Sequence, residues 1–376
     1  TVRVETTLDR RGALAKADFV ITQFRVGGLD ARTLDEAVPL KYGVIGQETT
    51  GAGGFAKAMR TIPVMLEICD DMRELCPEAW LINFTNPSGM VTEAVLKHGG
   101  VKVLGLCNVP LHMRNNVAEL LEVPVDEIEM EFAGLNHMVW GRRVFQIAGG
   151  VRTDVTAKVL DKIADGTGFT MKNIKDLKWD GELLESIGMV PCPYHRYYYY
   201  PERMFEEEKK EFESKGSRGV VVKAIEEALF KKYADIELDE KPKELEERGG
   251  AYYSDAAVSL VSAIHNDKNE EHVVNFLNEG TIPNLASDMV IEAGCRVGKE
   301  GVLRTGQLPL PDSVKGLVEK AKAYERLTIE AAMEKDPHEK EKKAMLALWM
   351  NPLVGDFQKA EGLTREILSY NRRIVE

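Results

Sequence analysis

The sequence predicts an α/β protein in which a parallel sheet is followed by a second part of the α+β type. Three short apolar runs have the length and composition of buried strands, at residues 17–24, 80–84 and 101–107. Residues 62–75 and 90–97, which lie between these runs, carry apolar side chains at helical spacing. Alternating strands and helices favour a parallel sheet with right-handed crossovers. We therefore expect one domain over residues 1–128 and a second over residues 129–376.

Polar residues follow each of the three predicted strands. Arg25 comes after the first strand, Asn86 after the second, and Cys107 with Asn108 after the third. Because parallel strands end at the same edge of a sheet, where ligands gather, we expect these side chains to lie close together.

The second half of the sequence has a different pattern of predicted elements. It contains two strand-like stretches, a charge-dense helical region and two further helical patterns, at residues 127–135, 138–147, 206–247, 255–264 and 313–335. This mixture predicts α+β structure rather than a continuation of the alternating pattern.

Composition excludes several classes of partner. Sixty-one acidic and 49 basic residues give a net charge of -12, which disfavours nucleic acid and anionic lipid surfaces. No apolar run approaches the roughly 18 residues needed to cross a bilayer, and the first residues lack a signal-peptide pattern. We expect a cytoplasmic protein with no nucleic-acid or membrane partner. The five cysteines lack C-x-x-C spacing and indicate neither a disulfide framework nor a zinc knuckle.

A glycine cluster at residues 51–56 matches G-x-G-x-x-A in its letters. That fingerprint binds a pyrophosphate only where it follows a buried strand and opens a helix. Since the preceding residues make a poor strand, we expect instead a tight loop on the substrate side that leads into a helix at Lys57.

Two further groups of residues have both a chemical and a structural interpretation. Cys107 and His137 are a thiol and an imidazole at predicted strand ends, and such a pair can bind a divalent metal while leaving positions open for substrate. Either residue alone is more often a core residue. Tyr253 follows the predicted turn at Gly249-Gly250 and is either a base beside a cation or an anchor for its helix. The aromatic run at residues 194–200 fits a sugar-stacking wall or a subunit contact.

These residues occur in segments whose order and wording resemble family 4 of the glycoside hydrolases, and within it the members acting on 6-phospho-β-glucosides. The matching segments are TQFRVGG, PLKYGVIGQET, LINFTNPSGMVTEA, GLCNVP, FAGLNHM, PCPYHRYY and RGGAYYSDAA. They cover nearly the whole chain, and seven segments in order are far more specific than any one motif. The resemblance implies a Rossmann-like N-terminal sheet, NAD, a divalent metal such as Mn2+, and a homo-oligomer.

The chemistry implied by the resemblance is an exception to the two-carboxylate scheme of most glycosidases. It comprises oxidation at C3 of the sugar, removal of the C2 proton, loss of the aglycone, addition of water and re-reduction. Cys107 and His137 would be the metal ligands, and Tyr253 the base for the C2 proton. Asn108 stands where α-specific members carry a proton-donating aspartate, and since an amide cannot donate that proton, a β-glycoside is implied.

The remaining site residues are also carried over by position. Arg25, Asn86, Asn136 and Glu48 are expected to bind the phosphorylated β-glucoside, and a guanidinium suits a sugar phosphate. Asn83 is expected to contact the cofactor. Turn and cap chemistry is the alternative for the asparagines.

Two departures from the family pattern qualify these expectations. The strand, glycine-rich loop and helix that hold the NAD pyrophosphate in the family do not precede Thr1, so we expect an incomplete Rossmann-like sheet. A non-catalytic, NAD-deficient sugar- or metal-binding relative, or a fragment, is therefore the alternative. In addition, Leu277 stands where related sequences carry an arginine, and Glu279 adds negative charge nearby, which weakens the expectation of a 6-phosphate preference.

Overall fold

The structure, a computed structural model, describes residues 3–166, 169–248 and 252–375. Its ten strands are β1 Phe19–Thr22, β2 Trp80–Asn83, β3 Lys102–Gly105, β4 Ile128–Leu135, β5 Met138–Ala148, β6 Val151–Asp154, β7 Val190–Pro191, β8 Glu270–Leu277, β9 Val290–Gly298 and β10 Gly301–Leu303. The predicted turn at Gly249-Gly250 lies outside the described residues.

The helices within these ranges surround the sheet. They are α1 Arg10–Leu14, α2 Gly28–Lys41, α3 Gly51–Leu75, α4 Ser88–Ala94, α5 Val109–Leu121, α6 Thr156–Asp165, α7 Gly181–Ile187, α8 His195–Tyr199, α9 Pro201–Lys215, α10 Arg218–Tyr233, α11 Glu244–Arg248, α12 Tyr253–His265, α13 Asp312–Met333, α14 Pro337–Met350 and α15 Phe357–Val375. A π-helical turn, Val95–Gly99, continues α4, and a 3-10 turn, Val125–Glu127, precedes β4. None of the helices in this described part is both long and apolar enough to span a bilayer.

The strands form one mixed sheet in the order β1-β2-β3-β8-β9-β4-β5-β6, with β10 beside β9 and β7 beside β5. The pairs β1–β2 and β2–β3 are parallel, whereas β8, β9, β4, β5 and β6 pair in antiparallel fashion. The predicted α/β class, with an α+β second part, is confirmed. The predicted boundary at residues 128 and 129 falls where β4 begins, and the division into two domains stays a prediction.

The register of the sheet brings distant parts of the chain to one level. A row of paired residues crosses it from β1 to β5: Thr22, Asn83, Gly105, Asn275, Glu292, Gly134 and Val139. A side chain at position 105 would clash with its neighbours, because a Cβ atom there would lie 2.8 Å from the Cβ of Asn275 and 2.3 Å from Oγ1 of Thr92. The close approach of β3 to β8 and α4 therefore requires glycine at this point.

The glycine cluster at residues 51–56 is helical, so the predicted loop with a helix starting at Lys57 is wrong. Helix α3 begins at Gly51 and its first turns are buried. A Cβ atom on Gly53 would lie 2.3 Å from the carbonyl oxygen of Gln47 and 2.7 Å from that of Asp35. The glycines thus let the helix pack against neighbouring backbone, and they do not form a pyrophosphate loop after a strand.

Candidate active site

Cys107 and His137 are both buried just beyond the row of paired residues, after the ends of β3 and β4. Cys107 lies two residues beyond β3, and His137 lies in the two-residue turn between β4 and β5. Each is 5% exposed. Tyr194 lies beside His137: its ring stacks on the imidazole with centroids 4.1 Å apart, and burial, with an electrostatic effect of Cys107, raises the pKa of its phenol.

The protonation states of this pair suit a metal. Burial, with a smaller effect of Lys57, lowers the pKa of His137 to about 3, so its imidazole is neutral and keeps a lone pair for coordination. Burial and the nearby Glu292 raise the pKa of Cys107, so a cation is needed to hold it as a thiolate. In the described part of the chain no third His, Cys, Asp or Glu joins them. The pair therefore fits a divalent cation whose other positions are filled by water or ligand oxygens.

Asn136 and Glu292 form a polar support beside this pair. The amide nitrogen of Asn136 donates to Oε1 of Glu292 at 3.1 Å, and the same oxygen accepts from Asn275 at 3.0 Å. The thiol of Cys107 donates to Oδ1 of Asn108 at 4.0 Å, and a hydrogen bond with the side chain of Asn136 opposes the rise that burial causes in the pKa of this thiol. Burial raises the pKa of Glu292 to about 7. Sequence reasoning missed Glu292 and Asn275, and only the strand pairing brings them here.

Glu48 is at the centre of a buried cluster of cations. Its carboxylate lies 2.5 Å from Arg25, 3.0 Å from Arg32 and 3.5 Å from Lys57. Burial alone would raise the pKa of Glu48, but the three cations outweigh it and hold the pKa well below its usual range. Burial, reinforced by Arg25, lowers the pKa of Lys57 to about 7.

Arg32 also pairs with Glu36 at 2.8 Å, so two carboxylates face three basic groups, which leaves capacity to bind an anion at Arg25. Nη1 of Arg25 is buried without a hydrogen-bond partner among the described residues. A phosphate or carboxylate oxygen would satisfy it. Arg32 and Lys57 were not singled out from the sequence, although Lys57 on the buried face of a glycine-rich helix was a detectable signal.

Two tyrosines, not one, lie at this centre. Tyr253 is the first residue of α12, and its ring packs edge-on against Phe84 at 5.1 Å. Burial, followed by the nearby Cys107 and Tyr194, raises the pKa of Tyr253, and Arg25 opposes that rise. Tyr194 was assigned from sequence to a sugar-stacking wall or a subunit contact, but its phenol contacts Thr49 at 3.4 Å and Asn173 at 3.3 Å in the interior.

For the rest of the aromatic run, the structure bears on the predicted subunit contact, whereas the sugar-stacking wall stays a prediction. His195, Arg196 and Tyr197 are buried, and Tyr198 to Tyr200 are partly buried. His195 stacks against Tyr199 and Trp140, and Arg196 pairs with Asp176 at 2.9 Å. Packing inside the protein therefore replaces the predicted subunit contact for the buried members, because they have no surface to offer.

The asparagines at the strand ends differ in how they are engaged. The amide of Asn83 is fully buried: its oxygen accepts from Thr22 and Thr85 at 3.1 and 2.9 Å, and its nitrogen donates to Thr92 at 3.1 Å. Asn83 thus braces the loop after β2, and its cofactor contact stays a prediction. Asn86 is partly exposed and accepts from the backbone N–H of Ser88 at 3.3 Å. Asn108 is buried directly before α5.

The end of β8 carries the departure from the family pattern. Leu277 is its last residue. Asn278 is buried and holds the following turn, accepting from the backbone N–H of Ile282 at 2.7 Å and donating to its carbonyl at 3.0 Å. Glu279 forms an ion pair with Arg304. Its negative charge is therefore balanced locally and opposes an anion less than the sequence indicates.

A cavity of about 1230 Å³ borders this centre at Cys107. It is lined by residues of α5, α12 and the antiparallel strands, and its lining includes neither His137 nor Arg25 nor Tyr253. The tyrosine and cation clusters therefore form the candidate site outside the lining of this cavity.

Fold and site together define a sheet-edge enzyme centre that combines a thiol, an imidazole, buried phenols and an anion-binding cluster. Two family profiles match the chain, described as "Family 4 glycosyl hydrolase" over residues 1–123 and "Family 4 glycosyl hydrolase C-terminal domain" over residues 132–354. The chain belongs to family 4 of the glycosyl hydrolases, an enzyme family.

Individual relatives agree with this assignment. The chain is 48% identical to a probable 6-phospho-beta-glucosidase of Bacillus subtilis, covering 99% of this chain and 83% of that protein. It is 44% identical to a 6-phospho-beta-glucosidase of Escherichia coli, covering 98% and 81%. A solved 6-phospho-beta glucosidase from Thermotoga maritima, with manganese, NAD+ and glucose-6-phosphate, superposes with a TM-score of 0.87 at 36% identity, covering 98% of this chain and 84% of that one.

Proposed function

We propose that this protein hydrolyses 6-phospho-β-glucosides with NAD and Mn2+, by oxidation at C3, proton removal at C2, loss of the aglycone, addition of water and re-reduction. The observation that carries the proposal is the buried pair Cys107 and His137, with two phenols and the Glu48 cluster beside it. The names of the Bacillus subtilis and Escherichia coli relatives support the substrate class. The solved Thermotoga maritima protein supports both cofactors.

NAD, when bound, supplies a reversible hydride acceptor, and Mn2+ supplies a Lewis acid for the oxygens on C2 and C3. Cys107 and His137 would hold the metal. Asn83 and the loop that it braces face the cofactor in this proposal, with Asn83 acting chiefly through that loop.

The chain's polar residues would bind and orient the sugar phosphate. Arg25 has an unsatisfied N–H for an anionic oxygen, and Glu48 holds the rest of that guanidinium in place. Asn86 and Asn136 would contact sugar hydroxyl groups. Asn108 has an amide where a proton donor would be needed for an α-linked leaving group, which supports the β-linkage.

Removal of the C2 proton requires a phenol held as phenolate by a neighbouring cation. Tyr253 is the assigned base, and Tyr194 is a second candidate because its ring lies against His137. Tyr253→Phe and Tyr194→Phe should be compared for exchange of the C2 proton with deuterated water in the presence of Mn2+ and NAD. The base is the residue whose loss slows exchange by about 100-fold or more. Normal exchange in Tyr253→Phe removes that residue from the role.

The overall function is tested with a chromogenic 6-phospho-β-glucoside, Mn2+, NAD and a reductant that protects the thiol. Turnover that depends on both cofactors supports the proposal. A folded sample that binds Mn2+ but shows neither NAD binding nor turnover selects the non-catalytic alternative. Accumulation of reduced cofactor in proportion to product selects a simple dehydrogenase. A homo-oligomer is part of the proposal and is checked by analytical ultracentrifugation.

A further inference from the structure

Glu292 is a fully buried carboxylate in the middle of the sheet without a cationic partner among the described residues. It lies on β9, paired with Asn275 of β8 on one side and with Gly134 of β4 on the other. Placing an ionisable group there is costly unless it is hydrogen-bonded. Such a position calls for a specific reason.

The hydrogen bonds of Glu292 are distributed unevenly. Its Oε1 accepts the amide nitrogens of Asn136 at 3.1 Å and of Asn275 at 3.0 Å. Its Oε2 and the Oδ1 of Asn275 are buried and have no hydrogen-bond partner among the described residues. Oε1 of Glu292 therefore acts as a single acceptor that fixes the orientation of the amide groups of Asn136 and Asn275.

Asn136 is the residue through which this oxygen reaches the candidate metal ligands. It directly precedes His137, whose backbone has a φ of 60° in the turn between β4 and β5. Its side chain also contacts the Cys107 thiol, and its Oδ1 accepts from the backbone N–H of Gly89 at 3.3 Å. Asn136 thus touches the chain segments that carry both ligands and the first turn of α4, which follows Asn86.

We propose that Glu292 is a positioning residue: by orienting Asn136, its carboxylate sets the geometry in which Cys107 and His137 meet a divalent cation. This inference rests on the metal site of the proposed function. Residues that orient metal ligands in this way commonly contribute about 10- to 100-fold in metal affinity.

The experiment measures the Kd of Mn2+ alone for the wild type, Glu292→Ala and Glu292→Gln. Glu292→Ala removes the acceptor and should weaken Mn2+ binding about 10- to 100-fold. Glu292→Gln keeps the acceptor oxygen that orients Asn136 and Asn275, so its loss should stay under about tenfold. Equal losses in both variants, or no loss in Glu292→Ala, would overturn the proposal.

Two further measurements separate positioning from simple destabilisation. In Co2+-substituted protein, the sulfur-to-metal charge-transfer band reports on the Cys107 bond, and it should weaken in Glu292→Ala and persist in Glu292→Gln. Asp35→Asn is the control, because Asp35 is also a buried carboxylate, bonded to Arg60 at 2.6 Å, but does not contact Asn136. It should lower stability and leave the Kd for Mn2+ unchanged. A charge-transfer band that survives in Glu292→Ala contradicts the inference.

If Glu292→Ala does not fold, Asn136→Ala tests the same proposal. It removes the hydrogen bond between Asn136 and Glu292 and leaves Glu292 bonded to Asn275. The same loss of Mn2+ affinity is expected, and unchanged affinity overturns the proposal. The wild-type measurement separates the two levels of inference. A wild type that fails to bind Mn2+ defeats the metal site itself, whereas a wild type that binds, with variants that bind equally, defeats only the role of Glu292.

Discussion

Substitution of Lys57 by methionine should change how the stability of the protein depends on pH. Lys57 is 3% exposed, and Nζ has one carboxylate, Glu48, at 3.5 Å. Burial lowers its pKa from 10.5 to about 7. That difference corresponds to about 5 kcal/mol of disfavoured charge, at about 1.4 kcal/mol for each pH unit between the two values.

The direction of the effect follows from proton binding. Below pH 7 the folded and unfolded states both carry the proton of Lys57, so this group adds no pH dependence. Between pH 7 and 10.5 the unfolded state binds more protons, and the free energy of unfolding rises with pH. From pH 7 to pH 9 the gain is about 2 kcal/mol.

Urea unfolding followed by circular dichroism at several pH values measures this effect. At pH 6, Lys57→Met should be more stable than the wild type. As the pH rises, the free energy of unfolding of the wild type should increase relative to that of Lys57→Met. Lys102→Met, at an exposed lysine paired with Glu78, controls for loss of a lysine as such. Parallel curves for the wild type and Lys57→Met between pH 6 and 9 would refute the reasoning.

Three further changes have defined outcomes. Cys107→Ser should weaken Mn2+ binding at least about tenfold, measured by titration, and unchanged affinity removes the thiol from the metal site. Burial raises the pKa of Glu208 to about 7, so the free energy of unfolding of the wild type falls as the pH rises from 4.5 to 7. Glu208→Gln lacks this loss, and in urea unfolding its free energy of unfolding should exceed that of the wild type by up to about 3 kcal/mol at pH 8. Leu277→Arg should bind glucose-6-phosphate about tenfold more tightly by calorimetry, and no gain places residue 277 outside the phosphate site.

Local sequence patterns predicted the parallel part of the fold well. Short apolar runs at β1, β2 and β3 appear as strands; β2 and most of β3 are buried, whereas the edge strand β1 leaves Ile21 exposed. The start of α3 was missed because three of its first four residues, Gly51, Gly53 and Gly54, have low helix propensity. In the structure, packing against the backbone of Gln47 and Asp35 outweighs that propensity.

The candidate site was predictable from the sequence only for residues at the ends of predicted strands. Cys107 and His137 stand directly at element ends, and both are found where the strand-end argument places them. Glu292 and Lys57 were missed because each lies in a segment whose own pattern is structural, a buried strand and a helix interior, whereas Tyr194 was noted only as part of an aromatic run with two interpretations. Their relation to the site arises from pairing and packing between segments far apart in sequence, which residue periodicity does not encode.

The arrangement at the site depends on the register of β8 and β9 as much as on any single side chain. Asn275 faces α4 and Glu292 because Gly105 pairs with Asn275, and Asn275 in turn pairs with Glu292. Since side chains alternate along a strand, a slip of one residue would turn Asn275 away and bring an apolar neighbour to Glu292. The bare Cα of Gly105 and the hydrogen bonds between Asn275, Glu292 and Asn136 both penalise that slip. The polar row at the candidate site therefore also fixes how the parallel and antiparallel parts of the sheet join.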